Sequence, residues 1–269
     1  MCILFIYKCS EDPESDYSLI IATNRDEFYE RPAQNMGPWE GEANVFAGKD
    51  VRGGGTWLAI SSANKKIGVM LNHPVAPVKN GQSRGKIPID YVKSELSASK
   101  FVDSMKDYFQ ECSGFIFVTL DIGKEDTTVH SYTSHTQDLI QYNEKCLGFG
   151  NSAPATPFTK VEAGRKRMQD ICRRLNKETE KEQLVNELID FLKWDEKHLP
   201  DPVLERQHPQ NYEDLSSVYV SKANIYGTRT HTLVLLTKDG KMDIIEMSLQ
   251  PPIDMANPQW KVTELQCKL

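Results

Sequence analysis

The chain has 269 residues, 39% apolar and 26% charged, with a net charge of −6. Basic residues are spread along the chain and outnumbered by acidic ones, which argues against nucleic acid or anionic lipid as partner. No window reaches the length of a membrane-spanning helix, so integral membrane insertion is not expected.

The chain opens MCILFIYKC. Ile3 to Tyr7 is too short for a secretory signal, lacks a preceding basic residue and is followed by acids, so it reads as a buried strand and the default compartment is the cytosol. Cys2 is small enough for Met1 to be removed ahead of it. A thiol and an α-amine of pKa roughly 8 would then share one residue, making nucleophile and base together. The alternative is a small residue that starts a buried strand.

A second β-type run, Ser18 to Thr23, leads into Asn24-Arg25-Asp26-Glu27. Successive strand residues point to opposite faces, so Arg25 and Asp26 can both face inward only if the strand ends there. One could then reach Cys2; a solvated ion pair at a strand exit is the other reading. Three glycines, Gly53 to Gly55, precede a strand from Thr56 to Ser61 that holds Trp57. They allow a tight strand entry, or exposed amides that bind an anion. A strand from Ile67 to Leu71 ends at Asn72-His73. An Asn side chain offers the fixed donor an oxyanion hole needs. His73 is the histidine next to that candidate site. The stretch GQSRGKI lacks the spacing of a phosphate loop.

Arg84 to Glu111 has helical spacing, with Ile87, Tyr91, Leu96, Phe101, Met105 and Phe109 apolar. Strands are expected at Gly114 to Leu120, Thr128 to Tyr132 and Cys146 to Phe149, the last leading to Asn151. Two amphipathic helices follow, one through Met168, Ile171, Cys172 and Leu175, the other through Leu184, Leu188, Phe191 and Leu192. LPDPVLERQHPQ reads as a Pro-rich loop. The chain then offers strands at Ser217 to Val220, Thr230 to Thr237 and Met242 to Met247, the last two joined by a Lys-Asp-Gly turn, with Arg229 just ahead of the long strand. Six scattered cysteines without C-x-x-C, and six histidines without metal-ligand spacing, suggest neither a zinc site nor a disulfide frame. The pattern predicts α+β layering, with helices outside stacked antiparallel sheets in one domain, 1–269.

Cys2, the NRDE segment at 24 to 27, GGTW at 54 to 57 and YGTRT at 226 to 230, in that order, resemble the NRDE-motif family of Transport and Golgi organization proteins. The resemblance implies a four-layer αββα sandwich of the N-terminal-nucleophile hydrolase type. It carries over catalytic positions Cys2, Arg25, Asp26, Asn72, Asn151 and Arg229, with Cys2 attacking an amide carbonyl, Asn72 and Asn151 holding the oxyanion, and no cofactor required. It also implies haem mobilisation and Golgi, mitochondrial and lipid links. Two functions follow as expectations. One is a cytosolic haem-trafficking protein that reuses the cleft, with His73, Asn24, Gly54 and Trp57 toward haem or a small lipid-like ligand, and transient contacts with Golgi or mitochondrial membrane proteins. The other is a cysteine amidohydrolase.

Overall fold

The structure is a computed structural model that describes residues 1–74 and 81–269. It is a mixed fold built on two antiparallel sheets, and the chain divides into two compact units.

The first unit comprises residues 1–30 and 144–268. Its strands are β1 (Ile3–Lys8) and β2 (Tyr17–Phe28) before the second unit, and β10 (Cys146–Phe149), β11 (Ser221–Lys222), β12 (Tyr226–Thr237), β13 (Lys241–Leu249) and β14 (Trp260–Lys268) after it. They pair in the order β10-β1-β2-β12-β13-β14, with β11 added to β12. Helices α3 (Thr159–Arg174) and α4 (Lys181–Leu192), together with the short α5 (Pro202–Gln207), belong to this unit.

Alternation explains the packing. Ile3, Phe5 and Tyr7 on β1, Ile20 and Ala22 on β2, and Leu233 and Leu235 on β12 share a core with Val161, Met168 and Ile171 of α3 and with Leu184, Leu188 and Phe191 of α4. Phe5 and Phe191 meet with ring centroids 4.8 Å apart. Each such buried side chain stabilises the fold by about 1.5–3 kcal/mol. At Gly164 a Cβ would lie 2.3 Å from the Phe5 ring, so glycine lets α3 approach β1 closely.

The second unit, residues 31–143, carries β3 (Ala33–Trp39), β4 (Glu42–Asp50), β5 (Leu58–Ser61), β6 (Lys66–Asn72), β7 (Phe115–Ile122), β8 (Thr127–Thr133) and β9 (Asp138–Tyr142), paired in chain order as a meander. Helices α1 (Ile87–Lys93) and α2 (Ala98–Gln110) cover it with an aromatic cluster. In that cluster Tyr91 meets Phe117 edge-on at 5.5 Å, and Phe109 meets Phe115 at 5.2 Å.

Several boundaries differ from the sequence expectation. The NRDE segment does not end its strand: β2 runs on to Phe28, and Arg25 and Asp26 are consecutive yet both buried. The strand continues because β12 pairs with it through this stretch, Asp26 opposite Thr228 and Arg25 opposite Thr230, with a bulge at Arg229. The helical stretch from Arg84 to Glu111 is broken between Lys93 and Ala98, leaving Leu96 39% exposed. The Pro-rich loop contains α5, begun by Pro202 and capped by Asp201 Oδ1, which accepts from the Leu204 amide at 2.9 Å.

Ser217 to Val220 is a bend, not a strand. Its polar groups are satisfied locally, since Ser217 Oγ donates to Tyr219 O at 2.5 Å and the Val220 amide donates to Thr228 Oγ1 at 3.0 Å. Strands β3, β4, β9 and β14 had no counterpart in the pattern. Gly37 and Pro38 interrupt β3, which lies at a sheet edge where proline is tolerated.

Candidate functional site

Sheet register builds the site. In β1 and β2, Ile3 lies opposite Asn24; continuing that register sets Cys2 against Arg25 and Met1 against Asp26. In β1 and β10, Leu4 lies opposite Phe149, so two further steps set Cys2 against Asn151. Four neighbouring strands, β10-β1-β2-β12, therefore bring Asn151, Cys2, Arg25, Asp26 and Arg229 to one end of one sheet. All but Cys2 are at most 5% exposed.

The polar groups at this end are tightly held. Asp26 Oδ1 accepts from the Thr228 hydroxyl at 2.7 Å, and its Oδ2 lies 3.5 Å from the Met1 amine, which also donates to the Tyr226 hydroxyl. Arg229 donates to Phe28 O at 3.1 Å, and Arg25 stands 3.8 Å from Glu27. The Cys2 thiol faces the Asp26 carbonyl at 3.9 Å. Burial pushes this thiol up from its ordinary value and Asp26 adds to the rise, against the lowering pull of the terminal amine and Arg25. With Met1 in place the resting group is a thiol.

Asn24 serves the fold. Its amide nitrogen donates to Leu192 O at 2.8 Å and Val218 O at 3.0 Å, and its oxygen lies 2.7 Å from His231 Nδ1. Both amide hydrogens are used, so His231 donates from Nδ1. The fully buried ring stacks on Trp260 at 4.9 Å, and burial holds its pKa down at about 3.

Gly54, Trp57, Asn72 and His73 lie in the second unit. Gly54 has φ +69°, in a turn closed by Asp50, whose side chain accepts the Gly53 amide at 2.8 Å and whose carbonyl accepts the Gly54 amide at 2.8 Å. The Gly53 and Gly54 amides are therefore committed to the turn. Trp57 packs its ring on Gly48, where a Cβ would lie 2.5 Å away. Asn72 is the exposed last residue of β6. The His73 ring is 6.3 Å from that of His135, and burial lowers its pKa.

A cavity of roughly 350 Å³, which no sequence pattern marks, lies in the first unit, walled by Met1, Phe28, His208, Leu215, Ile225 and Tyr226, with Asn211 and Lys222 completing it. Phe28 and Ile225 are 51% and 60% exposed at its edge. The His208 Nε2 is buried without a hydrogen-bond partner, and burial first, then the terminal amine and Lys160, lower its pKa. It therefore offers a neutral imidazole lone pair. No periodicity marks it, because it leaves α5 as the residue after a six-residue helix. Among the described residues no group of three or more His, Cys, Asp or Glu is placed to hold a metal, and no helix is long and apolar enough to cross a membrane.

Residues 1–251 match the family model described as Transport and Golgi organisation 2. The chain is 34% identical to Transport and Golgi organization protein 2 of Drosophila melanogaster, over 93% of this chain and 92% of that one. The homologs of Bos taurus and Homo sapiens are each 29% identical over 93% of both chains.

Proposed function

We propose, for a chain that belongs to the Transport and Golgi organisation 2 family, that it acts in transport and Golgi organisation by carrying a small apolar ligand in the cavity that Met1 and Tyr226 line. The observation that carries this reading is the cavity itself, apolar-walled, opening past Phe28 and Ile225, with a neutral imidazole in its lining. Its volume lies in the range of small-ligand sites. The ligand class is a haem-like macrocycle entering by one edge, with His208 as the exchangeable iron ligand in place of His73. A carrier of this kind acts from the cytoplasm through transient contacts with Golgi or mitochondrial membrane proteins.

Haemin titration followed in the Soret band tests it. Wild-type protein should saturate, and His208→Ala should weaken binding about tenfold or more and change the band position. A linear, unsaturable response, or one that His208→Ala leaves unaltered, would rule out this site. In cells depleted of the protein, wild type should restore Golgi morphology and Ile225→Glu should not.

A second reading rests on the register that sets Cys2 among Asn151, Arg25, Asp26 and Arg229. In it the chain is one domain, a four-layer αββα sandwich of the N-terminal-nucleophile type. Cys2 attacks an amide carbonyl after loss of Met1, its α-amine moves the proton, and Asn151 holds the oxyanion. It requires that Cys2→Ala abolish turnover of an amide substrate while the folded protein keeps its thermal midpoint.

A further inference from the structure

Lys160 is 1% exposed in the first turn of α3. Burying an ammonium is costly without a partner, and a helix N-terminal turn is a poor place for a cation. Lys160 forms no ion pair among the described residues, and its three donors have one acceptor, Ser217 O, at 2.9 Å. A methionine would fill the same space. What it could not do is titrate.

Packing places Lys160 at the same sheet end as Cys2. Its neighbour Val161 sits against Gly148 and Gly150 of the β10 end, where a Cβ at either glycine would lie 2.9 Å from the Val161 side chain. The next residue, Asn151, is the one that register sets against Cys2. The charged and titratable groups acting on the Lys160 amine are Asp26 and Cys2 from the sheet, Asp201 from the α5 cap, and Lys197. His208 in turn feels both Lys160 and the Met1 amine.

We propose that Lys160 is a positioning residue of this site, a buried cation whose charge favours the thiolate of Cys2 whether or not Met1 is present. Burial lowers the Lys160 pKa to about 8, so that this charge is lost in the mildly alkaline range. The inference goes beyond the ligand reading, because thiol ionisation is measured with no haem or amide present.

The test is peptide-resolved iodoacetamide labelling of Cys2 across pH 6 to 10 in the full chain, with half-exposed Cys267 as internal reference. Wild type should show an inflection near pH 8. Lys160→Met should slow Cys2 labelling at pH 7.5 by roughly tenfold, the equivalent of about one pH unit, and leave Cys267 unchanged. Lys160→Arg, a permanent cation, should keep much of the rate but lose the inflection. A Lys160→Met protein of native melting temperature whose Cys2 profile matches wild type would overturn the proposal, leaving Lys160 as a hydrogen-bond donor to the Ser217 bend. Should Lys160→Met fail to fold, an unchanged inflection in Lys160→Arg would overturn it equally.

Discussion

Among the described residues each sheet has seven strands paired antiparallel, but the two bury different things. The β3–β9 sheet buries an aromatic cluster, Tyr91, Phe101, Phe109, Phe115, Phe117 and Tyr132. The β1–β2–β12 region buries Asn24, Arg25, Asp26, Thr228, Arg229 and His231 at one end of its sheet. An apolar cluster is held by volume, and its stability changes little with pH. A buried polar end is held by pairing, so its stability responds to charge, and its groups remain available for chemistry.

The comparison is tested first by size. Phe117→Ala should cost about 3–5 kcal/mol in denaturant unfolding, since its fully buried ring leaves a cavity among Tyr91 and Phe101, and that loss should be the same at pH 5 and pH 8. Next comes pairing. Asp26→Asn removes the charge facing the terminal amine, and should cost about 1–3 kcal/mol.

His231→Phe leaves the Asn24 oxygen without its donor, at a cost again of about 1–3 kcal/mol near neutral pH. It should also alter the acid limb. The folded-state pKa of His231 is about 3 against 6.5 unfolded, so between those values the unfolded chain binds the extra proton and wild-type stability falls as pH is lowered. His231→Phe should flatten that part of the stability–pH curve. An unchanged slope would show that His231 is not the acid-sensitive group. The smallest stability effect belongs to Ile225→Glu. The side chain is 60% exposed, so its melting temperature should stay near wild type while ligand binding is lost.

Strands rich in β-branched and aromatic residues, such as β1, β7 and β12, were legible in the sequence because the alternation that buries them is also the sequence signal. The polar half of β2 was not. Asn24 to Glu27 reads as a strand exit, and the pairing with β12, a distant segment, keeps those residues in the sheet beyond the reach of the β1 pairs that end at Asn24. Cys2, Arg25, Asp26, Asn151 and Arg229 could be singled out as chemistry-bearing types and do share one sheet end. Lys160 and His208 could not be found. Lys160 sits in a charged helical stretch, KVEAGRKR, where a lysine ordinarily reaches solvent, and His208 follows a short proline-initiated helix inside what reads as a loop. Burial decided by residues far away in the chain is what distinguishes them.

The most direct measurement is methyl NMR of isoleucine-labelled protein titrated with zinc protoporphyrin, a diamagnetic haem analogue. The Ile225 methyl at the cavity edge should shift saturably while Ile87 and Ile116, fully buried in the second unit, stay in place. A titration in which Ile225 does not move, or moves only in step with every exposed methyl, would contradict a ligand site at the start of the chain.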